Sequence, residues 1–207
     1  LNEETIIVIE NHYLGEILNQ KQFDSFYHEH PRTYSVESFK YIAKSLGLYI
    51  TNVQFPARYG GNIRVMFSRK KGMNQYIDKF SELEFQNLGN YYQSWKIETK
   101  QFLSQIDYKF IGKSLPARAV MLINALEINS SIMEKTYEQD FSPKVNNYVP
   151  GTDIYIEKDS NLLLENGKPL ILWSWHISDE IINYLKNIGY KGDVYTPLPK
   201  FKKIISL

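Results

Sequence analysis

The chain has 207 residues, 43% hydrophobic and 23% charged, with 24 lysines and arginines against 23 aspartates and glutamates. A net charge of +1 offers no basic field for nucleic acid or a membrane surface, and the absence of cysteine excludes disulfides, thiolate nucleophiles and cysteine-ligated zinc. The length suits one domain or two small ones; no apolar run approaches the ~20 residues of a membrane span and no signal peptide opens the chain, so a cytoplasmic location is expected.

In chain order, the β-branched run Thr5–Ile9 reads as a buried strand ending near Glu10. A chain that opens so abruptly on a central-type strand reads as the remainder of something longer. Tyr13–Leu18 predicts a short helix with Leu14, Ile17 and Leu18 on one face. The run from Gln22 to Pro31 follows, carrying Tyr27-His28-Glu29-His30. The chain has only four histidines, and two of them flank this glutamate. Imidazole titrates nearest working pH, and a neighbouring carboxylate or phenol can orient it, so the cluster is a candidate for proton transfer. Pro31 biases His30 away from helical backbone, which places the tetrad on a strand end or loop. In an extended segment His28 would face away from His30.

Ser35 reads as a helix N-cap with Glu37 in the first turn, and Val36, Phe39, Ile42, Ala43 and Leu46 recur at helical spacing up to Gly47. Leu48–Phe55 and Ile63–Phe67 predict an antiparallel hairpin whose loop carries Tyr59-Gly60-Gly61, the glycines serving either a ligand's close approach or a plain turn. From Met73 to Gln105 the apolar spacing predicts one long amphipathic helix, or two broken at Gly89-Asn90. In the second half, Tyr108–Ile111 reads as a strand. It leads through Gly112-Lys113-Ser114 into a helix over 116–126, the arrangement in which free backbone N–H groups can hold an anion. Further strands are expected at 132–137, 153–156, 169–173 and 193–195, with a helix over 178–188. The alternation predicts a Rossmann-like parallel α/β unit. Arg64 and Arg118 could pair with phosphate or with a surface carboxylate, and His176, just ahead of a helix, could contact a phosphate or cap the helix. His28 and His30 could share a metal with His12 or His176, although two histidines two residues apart are a weak signal.

Several of these stretches, in this order, resemble the sugar C-methyltransferases that use S-adenosylmethionine: Gln22-Phe23-Asp24 with Tyr27-His28-Glu29-His30, Gly60-Gly61-Asn62-Ile63-Arg64-Val65, Gly112-Lys113-Ser114-Leu115-Pro116-Ala117-Arg118, Pro150-Gly151-Thr152-Asp153-Ile154 and Trp175-His176-Ile177-Ser178-Asp179-Glu180-Ile181. The first motif is the most specific. Tyr59 departs from the histidine that many members carry before the paired glycines. The resemblance implies an α/β chain in three parts: residues 1–70 as the end of a methyltransferase sheet with a β-hairpin, 71–106 as a helical connector, and 107–207 as a Rossmann-like lobe that helps bind a nucleotide-linked sugar. It implies that a zinc-binding segment and the cofactor domain precede this region, because the glycine-rich cofactor loop has no counterpart here. It implies His30 as the base that removes the proton beside a keto group, with Tyr27 and Glu29 orienting the sugar. His28, Tyr59, Gly60, Gly61, Arg64, Gly112, Lys113, Arg118 and His176 would bind substrate, and no metal is expected. The expected partner is a nucleotide-sugar, with no nucleic acid or membrane; a homo-oligomer is compatible. The alternative is a sugar-nucleotide-binding module without chemistry.

Overall fold

The computed structural model describes residues 2–72 and 76–207, and of Tyr59 the backbone alone. Two compact units emerge, residues 1–91 and 92–207.

The first unit is built on three antiparallel strands, β1 (Ile7–His12), β2 (Tyr49–Gln54) and β3 (Asn62–Ser68), in the order β1-β3-β2. The expected hairpin is therefore present as β2 and β3. The opening strand is an edge strand with Val8 half exposed rather than a buried central one, because it pairs only with β3 among the described residues. Strand alternation gives β3 two characters. Ile63, Val65 and Phe67 point into the core, whereas Asn62 and Arg64 share the other face with their cross-strand partners His12 and Glu10. A register shift between Ile50 and Asn52 lets both Ile50 and Val53 face inward from β2.

Helix α1 (Leu14–Asn19) buries Ile17 and Leu18, and α2 (Val36–Ser45) buries Val36, Phe39 and Ala43 against the sheet. Ser35 caps α2 as expected: its hydroxyl accepts from Ser38 N, and Ser38 Oγ accepts from Ser35 N. The carboxylate of Asp78 accepts from the next two amides, Val36 N at 2.7 Å and Glu37 N at 3.1 Å. That contact explains why the long helix does not extend as far back as its apolar spacing suggests. The proposed start at Met73 lies outside the described residues, and 76–81 is not helical. In this stretch Asp78 caps α2, while Tyr76 and Phe80 pack against Phe55 and Tyr13. Helix α3 (Glu82–Ser104) starts where Ser81 N and Oγ both meet the Glu84 carboxylate, and it continues through Gly89 without a break.

The second unit holds a six-stranded sheet: β4 (Phe110–Lys113), β5 (Met133–Glu138), β6 (Tyr155–Lys158), β7 (Leu170–Leu172), β8 (Asp193–Thr196) and β9 (Lys202–Ser206), in the order β6-β5-β4-β7-β8-β9. Every pairing is parallel except β8 with β9, so the Rossmann-like expectation holds, with one antiparallel edge strand added. Helices α4 (Ala117–Leu126) and α5 (Ser178–Asn187) follow β4 and β7. Strand order reverses between β4 and β7, where open α/β sheets form their crevice beyond the strand C-termini. Trp95, Thr99 and Leu103 lie buried on one stripe of α3, with Trp95 Nε1 donating to Pro197 O at 2.8 Å.

Candidate functional site

The tetrad lies on a loop, as expected, and there it forms a tight turn. His30 N donates to Tyr27 O at 2.8 Å, which closes the chain on itself and brings the first and fourth side chains to one side. Tyr27 Oη lies 3.0 Å from His30 Nε2, with ring centres 4.3 Å apart. His28 and Glu29, at the tip, are exposed. His28 is separated from His30 by the turn, not by strand alternation.

Sequence reading gave His12 only a minor place, yet its ring centre lies 4.6 Å from that of His30. It arrives as the last residue of β1, so cross-strand register with Asn62 puts it here. Asn62 Nδ2 donates to Glu10 Oε1 at 2.8 Å, and Arg64 grips the same carboxylate through Nε at 2.7 Å and Nη2 at 2.6 Å. The hydrogen bonds from Asn62 and Arg64 hold the Glu10 carboxyl below its ordinary pKa of 4.5. The guanidinium of Arg64 is thereby engaged within the sheet. No spacing rule reveals this quartet, because it depends on which β1 residue faces which β3 residue.

Glu10, His12, Glu29, His30, Arg32 and Asn62 all line one cleft of about 430 Å³. His30 Nδ1 is buried there and has no hydrogen-bond partner. An imidazole with one nitrogen against a phenol and the other unpaired is not a saturated structural histidine. Among the described residues, no group of three histidines, aspartates and glutamates is arranged to hold a metal ion.

Gly60 and Gly61 immediately precede Asn62, the first residue of β3. Gln22 Nε2 donates to Gly60 O at 2.6 Å, and a Cβ on Gly61 would stand 2.6 Å from Glu16 Cγ. The space beside both glycines is taken by the α1 region. Since Gly61 also has φ +108°, Gly61→Ala should destabilise the first unit by about 2–4 kcal/mol, combining backbone strain with overpacking. Gly47→Ala, at φ +65° but with open space around it, should cost only about 1 kcal/mol. Urea unfolding followed by circular dichroism separates the two; equal losses would remove the packing role of Gly61. The side chain of Tyr59 lies outside the described residues.

In the second unit the candidate residues gather where strand order reverses, at the C-terminal ends of β4 and β7. Lys113 Nζ pairs with Asp159 Oδ1 at 2.8 Å, almost wholly buried, and lies 5.2 Å above the Tyr184 ring. Tyr184 Oη donates to Asp159 Oδ2 at 2.7 Å, and burial followed by that hydrogen bond pushes the phenol up to about 12. Arg118, also buried, stacks its guanidinium 5.2 Å above Trp175, next to His176. Gly112 is a point of close packing: a Cβ there would meet Thr136 Oγ1 at 2.5 Å and Trp173 Nε1 at 2.8 Å. The turn into α4 is not an open anion cradle, because Glu138 Oε2 accepts from Leu115 N at 3.0 Å and puts a negative charge at that end. Asp153 from the Pro150-Gly151-Thr152-Asp153 motif accepts from Ser130 N at 2.8 Å and so ties two loops together.

The sheet order defines a mostly parallel α/β lobe with its crevice at the β4–β7 reversal. The profile of the C-methyltransferase C-terminal domain family matches residues 57–199, and the chain belongs to that family. A search of curated proteins returns no match. The Tyr27–His30 turn precedes the matched residues. No helix among the described residues is long and apolar enough to cross a membrane.

Proposed function

We propose that this chain supplies the base and part of the sugar-holding surface of an enzyme that methylates a carbon of a nucleotide-linked keto-sugar. The observation that carries the reading is the Tyr27–His30 pair in a cleft, with His30 Nδ1 buried and unpartnered. With Nε2–H donating to Tyr27 Oη, the lone pair lies on Nδ1, and that atom takes the proton from the carbon beside the keto group. The C–H electron pair passes into the enolate. The resulting imidazolium keeps Tyr27 Oη as acceptor for Nε2–H, so the proton transfer needs no change of hydrogen-bond partner. Arg32 in the cleft wall supplies positive charge near the developing enolate oxygen.

S-adenosylmethionine is the methyl donor that the family suggests. The strand-to-helix turn of the second unit does not suit it, since Thr136 and Trp173 fill the space beside Gly112 and Glu138 takes the Leu115 amide. In the second unit, Lys113 is committed to Asp159 and the buried Arg118 stacks on Trp175 beside His176.

Calorimetric titration of the chain tests this reading. A nucleotide-linked keto-sugar should bind and S-adenosylmethionine should not. Binding of S-adenosylmethionine alone, or no heat with any nucleotide-sugar, would overturn it. Binding of the sugar together with normal turnover in a His30 variant would leave the binding-module reading instead.

A further inference from the structure

We infer that Asn62 is a specificity-determining residue of this cleft: its side-chain carbonyl accepts a hydrogen bond from a hydroxyl of the sugar and so fixes how the ring lies against His30. The inference rests on the reading of the cleft as the place where the sugar is methylated. Asn62 is the first residue of β3 and the cross-strand partner of His12, whose ring packs against that of His30. All three residues line the cleft.

The direction of the amide decides the chemistry. A carboxamide presents a donor on one side and an acceptor on the other, and its neighbours determine which is which. The neighbour here is Glu10, whose carboxyl is held below its ordinary pKa by the hydrogen bonds from Asn62 and Arg64, so it stays a carboxylate and only accepts. Arg64 Nε and Nη2 occupy Glu10 Oε2, and Asn62 Nδ2 occupies Oε1 at 2.8 Å. The amide nitrogen is thereby committed, and the carbonyl must face another way. Its Oδ1 is buried, in a residue only 8% exposed, and no donor among the described residues meets it. Because it is already shielded from solvent, this acceptor gains most from a donor that arrives with the ligand. A hydroxyl reaches it only by seating against the cleft wall.

The same carbonyl repels a second acceptor. The keto oxygen is therefore turned from Asn62 and toward the positive charge of Arg32 in the cleft lining, while a ring hydroxyl is turned toward Asn62. A sugar with only hydrogen at the matching carbon leaves the buried carbonyl unpaired, and one with a carbonyl there sets two acceptors face to face.

Calorimetry with the intact 207-residue chain tests the assignment, using a nucleotide-linked keto-sugar and analogues in which each ring hydroxyl in turn is replaced by hydrogen. One analogue should bind about 5- to 100-fold more weakly than its parent, the usual penalty for leaving a buried acceptor unpaired. In Asn62→Ala that difference should shrink below about 3-fold. In Glu10→Gln it should shrink as well, although Asn62 is still present, because the new amide can donate to Oδ1 and turn the carboxamide round. A merely structural role would weaken parent and analogues alike. A difference that persists in both variants, with circular dichroism showing the fold retained, overturns the inference, as does equal binding of parent and analogues by the unsubstituted chain. Should His30→Ala retain near-normal turnover while the hydroxyl preference persists, the base assignment fails and Asn62 keeps its role, so the two failures are distinct.

Discussion

In the methyl-transferring enzyme, His30→Ala should lower turnover about 100- to 10,000-fold, the usual contribution of a positioned general base, while substrate affinity changes little. The asymmetry follows from the geometry. In the proposed reaction the role of His30 is confined to one nitrogen in a cleft of about 430 Å³, whose lining also draws on β1, the turn and β3. Removing the imidazole takes away the proton acceptor but leaves most of the binding surface. Tyr27→Phe should cost less than His30→Ala, because it removes only the group that sets the tautomer. Single-turnover transfer measured beside equilibrium binding separates these terms. Near-normal turnover of His30→Ala would end the assignment of His30 as base.

The second large effect lies in the other unit. Asp159→Ala should destabilise the 92–207 unit by about 3–5 kcal/mol, since it leaves the Lys113 ammonium buried without its partner. Replacing both members with apolar residues, as in Lys113→Met with Asp159→Leu, should recover most of the loss, because the penalty comes from the orphaned charge rather than from a missing attraction. All three tryptophans, Trp95, Trp173 and Trp175, belong to this unit, so their fluorescence during urea unfolding reports on it directly. A loss below about 1 kcal/mol in Asp159→Ala would mean that water reaches the pair.

Elements stabilised by neighbours in sequence were legible before the structure. The Ser35 cap and the 3–4 spacing of Val36, Phe39 and Ala43 specify α2 locally, and the apolar runs that became β3, β4 and β7 identify themselves. Errors arose where a distant group decided the outcome. Ile77 and Phe80 have helical spacing, but Asp78 is drawn to the N-terminus of α2 about forty residues earlier in the chain. Strand β9 carries a weak strand signal because Lys202 and Lys203 dilute its two isoleucines, as suits an exposed edge. The candidate site shows the same division. Tyr27 and His30 stand out within their own tetrad, and Pro31 already points to a strand end or loop there. His12, Asn62 and Glu10 could not be joined to them without the pairing of β1 and β3. Lys113 looked available for a phosphate because its partner Asp159 lies a helix and two strands further along the chain.

The register between β1 and β3 sets what kind of change the first unit can absorb. Glu10 and His12 face the cleft because they are two residues apart, and Ile7 and Ile9 face the core for the same reason. A substitution at any of these positions alters one contact. A single-residue insertion or deletion between Ile7 and His12 would invert every position on one side of it, either turning isoleucines toward the cleft or sending the carboxylate or the imidazole inward. Related sequences should therefore vary in side chain along this strand while keeping its length, with insertions displaced to the loop between β2 and β3.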